Sequence, residues 1–366
     1  MSSPRVRLFV VLSVVFATLP FIVGAGNGDG GNSDAARAEH QRIIEFWTPE
    51  RVAQAVPRDF VFDPGTRGFS PSKGKPSNPG GGGGGGGGGG EESTTLVTGA
   101  SWNGNDGIDG SVGKVLFAMD GSYWVCSATV IDDGGESDRS LILTAAHCVY
   151  DETNSDVETA FATEWMFIPD YDAAPVSLST TNNSFCDDTR YGCWTASAIA
   201  VHDGYAGAGS FGAGVEYDFA VVAVGNGGKT DEPQLDRNVT AQKYSFSENP
   251  RVADNTDTYA FGYPAQKKWN GTDLIYCRGP IDTDPHNNGD TYRLNECKLN
   301  GGSSGGSWLI GFNETDGLGT VISVNSYGYR GITAMHGPIL NGNTQAVYNA
   351  ALNAELGANP DPVATG

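Results

Sequence analysis

Three short stretches hold side chains able to do chemistry. Leu143-Thr144-Ala145-Ala146-His147-Cys148 runs an apolar strand into a turn and delivers a histidine beside a cysteine. Tyr217-Asp218-Phe219-Ala220-Val221-Val222-Ala223-Val224 sets an aspartate at the mouth of an apolar strand. Gly301-Gly302-Ser303-Ser304-Gly305-Gly306-Ser307-Trp308 flanks serines with glycines. Such a loop can turn tightly and aim backbone N–H groups at one point, as an oxyanion hole requires. Each stretch alone has an ordinary reading: a structural histidine, a strand-start acid, a flexible Gly/Ser loop. Together they are specific, because a serine nucleophile needs a base and the base needs an acid to fix its tautomer. His147 and Asp218 lie 71 residues apart, and Asp218 and Ser304 lie 86 apart. Either interval holds several strands, so the three groups can meet in a cleft.

The elements around them read as β-rich. Short apolar runs alternate with Gly/Asp/Asn turns from Leu96 onward, at 112–119, 123–131, 140–144, 164–168, 219–224, 258–262, 274–277, 308–310 and 320–324. That texture predicts an all-β barrel or sandwich. A helix is expected over 346–356. Upstream, 34–56 reads as helical, with Thr48-Pro49-Glu50 as a helix start: an N-cap, a proline at the first position and an acid in the first turn. Residues 57–95 are rich in Pro, Gly and Ser and end in eleven glycines, Gly80 to Gly90. That composition predicts a flexible linker.

On these motifs the chain resembles a secreted trypsin-like (chymotrypsin-fold) serine protease. Thr144-Ala145-Ala146-His147-Cys148 matches the family's TAAHC motif, and Asp218-Phe219-Ala220-Val221 resembles DIAL. The segment Cys297 to Trp308 is similar to the CxxxGGSSGGPW form of bacterial and fungal members near the glutamyl endopeptidases. Phe261-Gly262-Tyr263-Pro264-Ala265 resembles their GYPA strand. Ser326-Tyr327-Gly328 resembles the edge segment that pairs with substrate backbone. The resemblance implies two six-stranded antiparallel β-barrels with a short C-terminal helix, preceded by a helical or disordered leader. It implies His147 as general base, Asp218 as its orienting acid, Ser304 as nucleophile, and the N–H groups of Gly302 and Ser304 as oxyanion hole. Ser326, Tyr327, Gly328 and, by offset, Lys298 fall at substrate-binding positions. It also implies disulfides Cys126–Cys148 and Cys277–Cys297, leaving Cys186–Cys193. No metal and no cofactor is needed for this chemistry.

Two departures matter. Trypsins carry an Asp just before the catalytic serine, which pairs with a newly cut N-terminus; here that position is Ser303, without charge. Glutamyl members carry a histidine just before the edge segment; here it is Asn325. Neither basic nor acidic specificity is therefore implied. His202 reads as a surface turn residue. His286 lies in an Asp/Asn loop and, with Asp282 and Asp284, is an alternative cation site; His336 is unassigned.

The chain has 366 residues and a net charge of −21. Residues 1–95 hold nine Lys/Arg and nine Asp/Glu, so all the net charge falls on 96–366. Such a balance repels phosphate backbones, and nucleic-acid binding is not expected. Arg5 and Arg7 precede an apolar run ending in Val23-Gly24-Ala25, the pattern of a cleaved secretory signal. The run is shorter than the ~20 residues of a membrane span. Six cysteines suit an oxidising compartment. The expectation is a signal peptide over 1–25, a propeptide over 26–79, a Gly-rich linker over 80–95 and a protease domain over 96–366. The product would be an extracellular monomer acting on proteins or peptides, with no membrane attachment after signal cleavage. The alternative is a catalytically silent homologue that acts by binding. An esterase with a serine elbow would place its serine ahead of the acid and histidine, the reverse of the order here.

Overall fold

The computed structural model describes residues 29–72, 74, 96–104, 106–135, 138–171, 185–225, 234–246, 252–265, 268–287, 289–356 and 361–365. The expected signal peptide and glycine run lie outside them. Two β-structures carry the chain from residue 97 onward. The first is built from β5 (Val112–Met119), β6 (Ser122–Ile131), β7 (Ser140–Thr144), β8 (Thr163–Pro169), β9 (Trp194–His202) and β10 (Ala220–Val224). Their order β6-β5-β8-β9-β10-β7 closes through a β6–β7 pairing, giving a six-stranded barrel with antiparallel neighbours. β7, β9 and β10 are buried at every position. Each Val, Leu or Ile so buried contributes roughly 1.5–3 kcal/mol.

The second structure runs β16-β15-β12-β13-β14-β18, where β12 is Asp257–Gly262, β13 Ile275–Thr283, β14 Thr291–Asn295, β15 Ser307–Asn313, β16 Leu318–Val324 and β18 Ile332–Pro338. Its end strands meet where Leu340 N donates to Ile322 O and Ser323 Oγ to Pro338 O. β4 (Val97–Ser101) adds to β13, β11 (Lys243–Tyr244) to β16, and β17 (Tyr327–Tyr329) to β18. Helix α3 (Gly342–Asn353) opens with Asn341 and Thr344 in a reciprocal cap and packs on β9 and β10. β19 (Asp361–Thr365) pairs with β9. This is a mostly-β, chymotrypsin-like architecture with a short C-terminal helix.

The leader departs from expectation. Helices α1 (Asp29–Phe46) and α2 (Pro49–Gln54) form, and Thr48 caps α2 by accepting from Arg51 N. Residues 57–71, read as the start of a linker, and Val56, read as the end of a helix, instead hold three strands: β1 (Val56–Pro57), β2 (Phe60–Asp63) and β3 (Gly68–Pro71). β1 pairs with β6 and β2 with β17, both parallel. Trp47 Nε1 donates to Glu164 O at 2.7 Å, and Ile43 and Trp47 are buried. The leader therefore lies on the domain it precedes.

Candidate active site

The barrel register brings His147 and Asp218 together. Ala220 of β10 pairs with Thr144 of β7, so the segment leaving β7 and the segment entering β10 emerge side by side. A 3-10 turn, Ala146–Cys148, then presents His147, and the Cys126–Cys148 disulfide ties that turn to β6. Asp218 Oδ1 accepts from His147 N at 2.9 Å, and Oδ2 lies 2.8 Å from His147 Nδ1. Ser326 Oγ donates to the same carboxylate. Both side chains are fully buried. Beside a carboxylate the Nδ1 atom carries the proton, which leaves Nε2 as the acceptor. Among the described residues Nε2 has no hydrogen-bond partner.

Ser304 comes from the loop ahead of β15. Gly302 (φ +95°) and Gly305 (φ +85°) hold left-handed conformations that make this turn. A Cβ on Gly305 would also sit 2.1 Å from Thr144 Oγ1, so the loop can abut the first barrel only with glycine there. Uncharged groups brace the turn. Ser127 N donates to Ser304 O at 2.7 Å and Ser127 Oγ to Gly302 O at 2.9 Å. Asn325 Nδ2 donates to Ser303 O at 2.9 Å and to Phe261 O at 2.7 Å, while its Oδ1 accepts from Trp308 Nε1. Ser303, at the position of the trypsin activation acid, donates its hydroxyl to Asn300 O at 2.6 Å.

A residue the sequence did not single out occupies this site. Asp59, from the leader, accepts from Ser304 Oγ at 2.7 Å and from Gly302 N at 3.3 Å through one oxygen, Oδ1. Burial pushes its carboxyl up, against the pull of the Ser304 hydroxyl, His147, Gly302 N–H and Arg58. The only sequence signal was an acid beside the alternating Phe60-Val61-Phe62.

The other expected residues divide. Tyr327 and Gly328 lie on β17, whose free edge is taken by β2, with Phe60 opposite Tyr327 and Val61 opposite Gly328. Ser326, expected to meet substrate, turns its hydroxyl to Asp218. Lys298 is exposed and donates to Thr98 Oγ1 at 3.0 Å, apart from the group. The remaining cysteines form Cys186–Cys193 and Cys277–Cys297. His202 is buried rather than a surface residue: it stacks on Tyr217 at 4.4 Å and caps a short turn through Gly204 N. Asp284 accepts from Tyr327, Tyr329 and His286 N, so protein donors already fill it. His336 stacks on Tyr329 at 4.1 Å, and burial lowers its pKa to about 4. Among the described residues one group has metal-ligand spacing, Cys126, His147 and Cys148, and its sulfurs are spent in the disulfide.

No helix of the described residues is long and apolar enough to cross a membrane. No curated protein matches the chain. Among solved structures it is 29% identical to the protease Anisep from Arthrobacter nicotinovorans, with a TM-score of 0.54 over 69% of this chain and 99% of that one. It is 28% identical to the thermostable serine protease AL20 from an extremophilic microorganism, with a TM-score of 0.54 over 68% of this chain and 99% of that one. Residues 126–310, which run from β6 of the barrel to β15 of the second sheet and hold His147, Asp218 and Ser304, match the trypsin-like peptidase domain. With that match, the barrel topology and the buried His–Asp pair, the chain belongs to the family of trypsin-like peptidases.

Proposed function

We propose that this chain is a secreted serine endopeptidase, made as a zymogen, that hydrolyses peptide bonds through an acyl-enzyme. The observation that carries the reading is the buried, hydrogen-bonded His147–Asp218 pair, with Ser304 on a glycine turn held against the same barrel through Ser127 N. In the mechanism His147 Nε2 takes the proton of Ser304 Oγ as the oxygen attacks the scissile carbonyl. Asp218, bonded at Nδ1, fixes the tautomer and stabilises the imidazolium. The N–H groups of Gly302 and Ser304 receive the developing oxyanion; losing one such donor costs about 10²–10³ in rate. The imidazolium then protonates the leaving amine, and water releases the acyl group by the reverse path. Residues 1–25 direct export, 26–79 act as a propeptide, and 96–366 form the catalytic domain. Protein and peptide substrates follow from the protease fold.

A peptide library incubated with the chain, before and after a cut within Gly80–Gly90, tests this. New peptide termini that appear after the cut and vanish in Ser304→Ala support it. Identical termini from the parent and Ser304→Ala chains contradict it.

A further inference from the structure

The segment Val56–Pro71 crosses the cleft that takes substrate on the reading above, and the inference here rests on that reading. Three of its contacts fall on the reactive groups. Asp59 holds Ser304 Oγ and Gly302 N on one carboxylate oxygen, so the hydroxyl proton points to Asp59 and not to His147. Arg58 Nη1 donates to His147 O at 2.7 Å, with Glu152 at 3.2 Å as its ion-pair partner. Phe60 stands edge-on to the His147 ring at 5.6 Å and stacks on Phe211 at 3.9 Å. Beyond them β2 holds the β17 edge, and Arg330 N donates to Phe62 O at 2.8 Å.

We propose that Val56–Pro71 is an intramolecular inhibitor, with the Asp59 carboxylate as the ligand of the oxyanion site and β2 as a decoy strand on the substrate edge. The segment resists cleavage because of what it offers Ser304. A carboxylate is a poor electrophile, and among the described residues no leader peptide carbonyl shares the Ser304 Oγ and Gly302 N donors. The occupant sets an acceptor oxygen where the transition state carries its oxyanion, which suits the Gly302 donor. The site would accept the same chemistry in a free ligand: a peptide with an acidic side chain followed by an aromatic one.

The inhibition is also built to be reversible. Among the described residues the buried Asp59 Oδ2 has no partner, and a buried polar oxygen left unpaired opposes docking. The aromatic packing, the Arg58 ion pairs and the two strand pairings must outweigh that cost. Covalent connection helps them, since a tethered segment acts at an effective concentration on the order of millimolar for short connections. A cut between the leader and β4 removes that advantage and leaves a weaker free peptide.

The test uses the full chain and a small fluorophosphonate, with the labelling rate of Ser304 as readout. Asp59→Ala and Phe60→Ala should each label at least about tenfold faster than the parent chain, and Asp59→Asn should fall between. A synthetic peptide of residues 56–71, added to the Phe60→Ala chain, should slow labelling at concentrations up to millimolar. The same peptide with Asp59→Ala should need about tenfold more. Equal rates in the parent and both variants, with labelling lost in Ser304→Ala, overturn the inhibitor and leave the protease reading standing. A peptide without effect at millimolar concentration also overturns it. Absence of labelling in every form, cut or uncut, overturns both readings.

Discussion

Ser304→Ala and His147→Ala should each abolish nearly all turnover, and the double variant should be no worse, because the two groups act as one unit. Asp218→Asn is the sharper variant. The amide cannot hold Nδ1–H in the working tautomer, and a loss of about 10⁴ in kcat is expected. Near-native turnover by Asp218→Asn would refute its place beside the base, against the direct contacts with His147 N and Nδ1. These residues were legible in the sequence because chemistry fixes their types and their neighbours. Asp59 was not. An aspartate before a phenylalanine has no signature until the fold lays Ser304 against it, 245 residues away. Asn325 was read only as a missing pocket histidine, while the structure makes it a brace of the nucleophile loop.

At the scale of elements, strand β5 carries a buried cation. Lys114 is fully buried; its ammonium donates to Gly271 O at 2.9 Å and lies 4.5 Å from the Tyr171 ring centre. Burial pushes its pKa down to about 7, against about 10.4 in an unfolded chain. Between these values the unfolded chain binds a proton that the folded chain does not, so stability rises with pH from about 7 toward 10. Above about 10 the sign reverses, because buried tyrosines such as Tyr171 keep protons that the unfolded chain loses. In a Ser304→Ala background, to exclude self-digestion, the urea midpoint should be higher at pH 9.5 than at 7.5. Lys114→Met should flatten that rise, and an unchanged rise would show that Lys114 is not its source.

Strands rich in branched apolar residues, β5, β7 and β10, were legible nearly to the residue. β9 was not, because Trp194-Thr195-Ala196-Ser197-Ala198 is made of small side chains whose burial depends on close barrel packing. The more polar β14 escaped for a similar reason. β2 and β3 sit in a Pro/Gly-rich stretch and are strands only because β17 offers β2 an edge. Pairing imposed from outside leaves little local signal.

For the whole molecule, the proposed activation follows from the absence of a charge at position 303. Neutral bonds from Ser127, Asn325 and Ser303 brace the nucleophile loop, so no single new N-terminus is needed to form it. Chains cut at engineered sites to start at Glu91, Ser93 or Leu96 should have rates within about twofold of one another. A start beyond Ser101 removes β4 from β13 and should lower thermal stability. If one start alone is active and a single added residue abolishes it, an N-terminal insertion switch operates after all.

The central claim is that Ser304 cleaves peptide bonds through a covalent acyl-enzyme. Its most direct test is to acid-quench the Asp59→Ala chain during turnover of a peptide ester and weigh the intact protein. The account predicts one acyl increment per chain, located on the peptide that contains Ser304 and absent when Ser304→Ala is added. Turnover with no adduct, or an adduct on another residue, would contradict it.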